Sequence, residues 1–348
     1  MTRALTDLLG TRWPIVQAPM AGVQGHALAA AVSNAGGLGS LPAAMLGPDA
    51  LRSELEALRA ATAQPVNINF FCHREPAPDP AREAAWRALL APYYAEAGID
   101  PAAPAVGAAR RPFSAAAAEL LAEFRPAVVS FHFGLPAPEL LARVRETGAK
   151  VLASATTVAE ALWLEAQGVD AVIAQGAEAG GHRGMFLDSE LALQRGLFTL
   201  LPQAVAALRV PVIAAGGIAD ARGVRAALAL GAAGVQVGTA YLLCPEATTG
   251  PLHRAALASP RARETMLTTL LSGRPARGMP NRLMRELGAL HPVAPAFPLA
   301  AAALAPLRAW AEAQGRDDFT PLWCGQNATA CRAVPAAQLT QELAAGLG

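Results

Sequence analysis

Three glycine-rich stretches carry residues able to do chemistry. Gln175 through Gly184 reads QGAEAGGHRG and follows the apolar run 169–174 directly. A histidine there, His182, flanked by small residues, has space around it for a ligand. It can donate a hydrogen bond or shuttle a proton near neutral pH. Gln175 ends the strand and offers donor and acceptor to a pyrimidine-type edge. Gly180 and Gly181 permit close backbone approach. Further on come PVIAAGGI, with Gly216 and Gly217, and GVQVGT, with Gln236, Val237, Gly238 and Thr239. Two consecutive strand-to-glycine loops can hold a phosphate dianion on backbone N–H groups. Together the three loops read as a flavin mononucleotide (FMN) site with a histidine beside the ring.

Other candidates lie at the ends of apolar runs. Met20 and Ala21 follow the first run, where backbone groups can meet a flat heterocycle; a tight turn needing Pro19 and Gly22 is the plainer reading. Asn67 and Asn69 share one side of a buried run. They must find partners or face a ligand. His132, in SFHFG, is either a satisfied core histidine or a site residue. In the tail, Arg274, Arg277 and Arg282 close over an anion or form a solvated, domain-pairing face. Gln326 is a further candidate for reaching a cofactor.

These positions need elements to hold them. Eight short apolar runs are the strand candidates: 14–20, 37–42, 66–71, 127–134, 150–155, 171–175, 211–215 and 234–237. Apolar nearly throughout, they read as parallel strands buried on both faces. Helical patterns at 48–61, 138–147, 157–167 and 220–230 alternate with them. The last three stop at Gly148, Gly168 and Gly231 and two start at Thr157 and Asp220. Eight βα units predict an α/β fold of the (β/α)₈ TIM-barrel type, whose sites lie at the C-terminal strand ends. A doubly wound sheet is the competitor, but no GxGxxG follows the first run. Two segments break the beat: 73–124, with helical pieces 81–97 and 114–124, and a tail without strand signals. The expected division is a barrel from 1–72 and 125–245, and a helical cap from 73–124 and 246–348.

Composition narrows the function classes. The chain has 348 residues, 53% hydrophobic, with 28 basic and 27 acidic residues. That balance offers no electrostatic case for nucleic acid. No apolar run is long enough to span a membrane, and the N-terminus shows no signal-peptide pattern. Cys72, Cys244, Cys324 and Cys331 are scattered without metal spacing, and read as reduced thiols of a cytoplasmic protein. No metal site is expected.

The stretches PIVQAPMAG, SNAGGLGSL, NINFF, VVSFHFGLP, QGAEAGGHRG, PVIAAGGIAD, GVQVGTAYL and SGRPARGMPNR resemble those of nitronate monooxygenases of the class I type. This is the FMN-dependent family formerly called 2-nitropropane dioxygenases. The resemblance implies a TIM barrel with FMN at its mouth and a smaller helical domain. It places the catalytic role on His182 and FMN contacts on Met20, Ala21, Asn69, Gln175, Gly180, Gly217 and Gln236 through Thr239. It implies oxidation of an alkyl nitronate, such as propionate 3-nitronate, by O₂ to a carbonyl compound and nitrite. The expected assembly is a monomer or homodimer. Three rival readings stand beside it. They are an FMN-dependent enoyl-acyl-carrier-protein reductase, an NAD(P)H:quinone reductase and a non-catalytic flavin-binding scaffold.

Overall fold

The computed structural model describes residues 2–100 and 110–347; part of the expected cap segment, 101–109, lies outside them. Among the described residues there are eleven strands: β1 (Ile15–Gln17), β2 (Gly39–Pro42), β3 (Val66–Phe71), β4 (Val128–His132), β5 (Lys150–Ala155), β6 (Ala171–Gln175), β7 (Gly181–His182), β8 (Val212–Ala215), β9 (Gly234–Val237), β10 (Met266–Thr268) and β11 (Ala276–Gly278). Eight form one parallel sheet in the order β1-β9-β8-β6-β5-β4-β3-β2. A parallel bridge from Val16 to Leu38, with Gln17 N–H on the Leu38 carbonyl at 2.9 Å, joins β1 to the β2 edge. The chain is a (β/α)₈ barrel.

Alternation along β6 shows why its apolar run is unbroken. Ala171 and Ile173 join the interior cluster with Val16, Leu152 and Ile213. Val172 and Ala174 pack outward against helices. Both faces of the strand are dry, so no polar alternation survives in the sequence. The first helix, Thr2–Leu9, adds buried Leu5 and Leu9 to the interior cluster.

The outer helices begin and end as their caps dictate. Thr157 accepts from Glu160 N–H and Asp220 from Gly223 N–H, each satisfying a donor of the first turn. Gly148, Gly168 and Gly231 take positive φ just past their helices. The far end of the tail supplies another outer helix: Ala336–Ala344 packs against His26–Asn34 and Ala221–Ala229.

A separate cluster gathers Trp86, Tyr93 and Tyr94 of helix Pro80–Ala97 with Leu283, Leu307 and Phe319 of the tail. Trp86 Nε1 donates to the Ala300 carbonyl at 3.2 Å, and Tyr94 Oη to that of Ala303. Helix Ala115–Phe124 contributes Ala118, Leu120 and Leu121 to the barrel's cluster instead. The sequence reading of a strand-free tail is corrected: β10 and β11 lie in it, β10 pairing antiparallel with β11 and β11 with β7. Strands this short carry no period to read.

Candidate functional site

One cavity, of about 190 Å³, opens at the C-terminal ends of the barrel strands. It brings together residues from distant parts of the chain: Met20 and Ala21 after β1, Asn69 of β3, and His132 of β4. Gln175, Gly180, Gly181 and His182 join them, with Gly216 and Gly217 after β8 and Gln236, Gly238 and Thr239 around β9. Val237 is the exception. Alternation turns it away from Gln236, and its side chain packs in the barrel's outer core. Gln326 is exposed and does not line the cavity; its neighbours Gly325 and Asn327 do.

His182 is held by a strand ladder. It sits in β7, paired opposite Ala276 of β11, and the next amide, Arg183 N–H, donates to the Pro275 carbonyl at 2.8 Å. Its Nε2 lies 2.9 Å from Ser272 Oγ. The Ser272 hydroxyl donates to the Arg274 carbonyl at 3.3 Å. Nε2 is therefore the donor, and the lone pair is on Nδ1. Nδ1 has no protein partner among the described residues. Phe71, Phe133, Phe297 and Trp323 surround the ring at centroid distances of 6.1, 6.0, 5.2 and 5.7 Å. Burial among these rings, reinforced by the Arg110 charge, holds the imidazole's proton affinity well below the usual histidine range. The ring is neutral at physiological pH.

The carbonyl of the same residue anchors the loop. His132 donates to it from Nε2 at 3.1 Å, with Nδ1 accepting from Ser154 Oγ at 3.0 Å. Gln175 Nε2 donates to it at 3.0 Å, while Gln175 Oε1 accepts from Gly184 N–H at 2.8 Å. His132 thus has both ring nitrogens occupied by protein, and burial lowers its pKa to about 4. Asn69 donates to Ser130 Oγ at 2.9 Å. Phe133, between His132 and Gly134, adopts φ 70°, a conformation costly for a side chain with a Cβ.

Reasoning from sequence missed Arg183, the residue after the histidine. Fully buried, it donates to the Gly176 and Gln175 carbonyls at 2.7 and 2.8 Å and to Gln194 Oε1 at 3.0 Å. Burial draws its pKa down to about 10. It is a strut that folds the loop back on the strand. The three tail arginines do not line the cavity. Arg274 stacks over Phe133 at 4.1 Å and donates to the Met185 carbonyl. Arg277 braces the loop through the Ala177 carbonyl at 2.9 Å. Arg282 pairs with Glu96 and Glu286.

The opposite wall is backbone. Gly216 and Gly217 have φ of 124° and 70°, so side chains there would be strained and the N–H groups stay accessible. A Cβ on Gly216 would lie 3.2 Å from Ala179 N, and one on Gly180 only 2.4 Å from the Cys324 carbonyl carbon. The tail ties this wall down: Gly325 N–H donates to Thr239 Oγ1 at 2.9 Å, and Asn327 Nδ2 to the Gly217 carbonyl at 3.0 Å. Two buried polar atoms lack partners here, Gln236 Oε1 and His253 Nε2, and both residues line the cavity. Orphaned groups facing a concave site call for a ligand. The arrangement suits a planar heterocycle bearing a phosphate.

The family model described as nitronate monooxygenase matches residues 2–346. A nitronate monooxygenase of Pseudomonas aeruginosa is 45% identical over 348 residues, covering 99% of this chain and 98% of the relative. The crystal structure of a nitroalkane oxidase from Streptomyces ansochromogenes is similar with a TM-score of 0.88 and 41% identity, over 99% of this chain and 97% of that one. FabK from Thermotoga maritima gives a TM-score of 0.70 at 27% identity, over 97% and 94%.

Proposed function

The chain belongs to the nitronate monooxygenase family, and on that premise we propose that it oxidises alkyl nitronates with FMN and O₂, releasing a carbonyl compound and nitrite. The observation that carries this reading is a neutral, ladder-held His182 facing a glycine-built cradle across one cavity.

The residues present fit FMN. Gly216, Gly217, Gly238 and Thr239 would hold the phosphate, and Gln236 Oε1 would gain a partner. Met20, Ala21, Gln175 and Gly180 would lie against the ring system. When bound, FMN supplies the electron transfer, and the protein supplies position and electrostatics.

A nitronate has already lost its α-proton, so the site needs no strong base. His182 fits that requirement, because burial makes it a poor one. An anion arriving beside Nδ1 raises the proton affinity of that atom. Protonated there, His182 donates to a nitronate oxygen and orients it. His132 and Gln175 act one step back, holding the His182 carbonyl and hence the ring's position. The aromatic rings around His182 exclude water.

The test compares propionate 3-nitronate, the matching nitroalkane and NADH on the purified holoprotein. The expected result is nitrite from the nitronate, turnover of the nitroalkane at pH 7 slower by about tenfold or more, and no flavin bleaching by NADH. Rapid bleaching by NADH would replace this reading with the enoyl-acyl-carrier-protein or quinone reductase. A colourless protein would remove the flavin altogether.

A further inference from the structure

Among the described residues that line the cavity, Arg110 alone carries a permanent charge. No Asp or Glu faces it there. Its guanidinium makes no hydrogen bond or ion pair among the described residues, so it lacks the counter-charge that a half-buried arginine ordinarily finds. Arg183 is the internal contrast, with every nitrogen satisfied by the loop it braces.

The position of Arg110 is built. Arg111 N–H donates to the Ala44 carbonyl at 3.0 Å, and Phe113 N–H to that of Phe71 at 2.8 Å. A bridge joins Pro112 to Phe71 at the end of β3. These bonds pin the backbone at the barrel mouth. The guanidinium carbon stands 5.9 Å from the Phe297 ring, whose centroid is 5.2 Å from that of His182. The glycine cradle lies after β8 and β9, which the sheet order separates from β3 by at least two strands on either path. Arg110 is therefore on the His182 side of the mouth, away from the phosphate position.

We propose that Arg110 is a specificity-determining residue that binds a carboxylate at the far end of the nitronate substrate, so that the site selects nitronates carrying a second negative charge. The inference rests on the nitronate reading above. A guanidinium suits a carboxylate because its N–H groups form a planar fork. Phe71, which lines the cavity beside His182, gives the short carbon chain an apolar surface. A substrate with a neutral tail would leave the guanidinium buried and unpaired in the complex, which disfavours it.

The test measures kcat/KM for propionate 3-nitronate and for propyl-1-nitronate on the wild-type holoenzyme, Arg110→Gln and Arg110→Lys. Calorimetric titration with succinate, an unreactive dicarboxylate, runs alongside. In Arg110→Gln the preference for the carboxylate-bearing nitronate falls about tenfold or more, the scale of one lost charge-assisted hydrogen bond. The fall lies in KM rather than kcat, succinate binding weakens, and Arg110→Lys recovers part of both. An unchanged preference in Arg110→Gln overturns the proposal. So does loss of bound FMN from that variant, which would assign Arg110 to the cofactor. If the wild type oxidises neither nitronate, the nitronate reading fails by itself; succinate binding that depends on Arg110 still supports the carboxylate site, and binding that does not overturns it.

Discussion

On the β8–β9 side the cavity wall is peptide; on the β3–β4–β6 side it is side chain. The first wall presents Gly216, Gly217 and Gly238, with Asn327 and Gly325 of the tail tying it in place. The second presents His132, His182, Arg110 and Phe71. A backbone wall binds what every relative of one cofactor type shares, because N–H groups cannot be exchanged by substitution. A side-chain wall can be retuned residue by residue, and on the proposed reading reaction and substrate choice reside there. The two walls should fail differently.

The largest expected effect breaks the backbone wall. Gly217→Val places a β-branched side chain at φ 70° and within contact distance of Glu178. Strain of about 1–3 kcal/mol, with the cradle reshaped, should yield a protein isolated without bound flavin and without nitronate turnover. A stoichiometrically yellow Gly217→Val protein would remove the cradle assignment.

Acid should expose the cost of the buried imidazoles. His132 in the side-chain wall, His73 beside it, and His253 in the cavity are each held neutral by burial down to about pH 4, against an ordinary value of 6.5. Between those values the unfolded chain binds protons that the folded chain refuses, so stability falls as pH drops from about 6.5 to 4. The loss is roughly 1–3 kcal/mol per histidine, read as a falling Tm. His73 is the cleanest probe: both its ring nitrogens lack partners, and Phe297 lies 4.8 Å from its ring. His73→Phe should flatten part of the slope. A Tm that is level across this window would contradict the burial argument.

Legibility from sequence divides along the same line. The barrel strands could be read because doubly buried strands are apolar runs, and β3, β5, β6 and β9 fall where those runs do. The glycine loops could be read because positive φ at Gly216 and Gly217 demands glycine. What holds His182 could not be read. β7 has two residues, and its partner β11 lies far along the chain, so no local pattern announces the ladder. Ser272 and Arg183 matter through contacts with remote atoms, and such contacts leave no periodic trace. Arg110 did leave a signal: a pair of arginines before Pro112 in an otherwise apolar, alanine-rich stretch. Val237 shares its loop with Gln236, but alternation splits the two and packs the Val237 side chain in the outer core.

On the proposed reading, His182 does chemistry while the opposite wall holds the cofactor. The direct measurement is flavin content together with propionate 3-nitronate kinetics for His182→Asn. The expected result is wild-type flavin content with kcat/KM lowered about a hundredfold to a thousandfold, the range for a lost proton-handling group. A yellow His182→Asn protein that oxidises the nitronate at near the wild-type rate would contradict it.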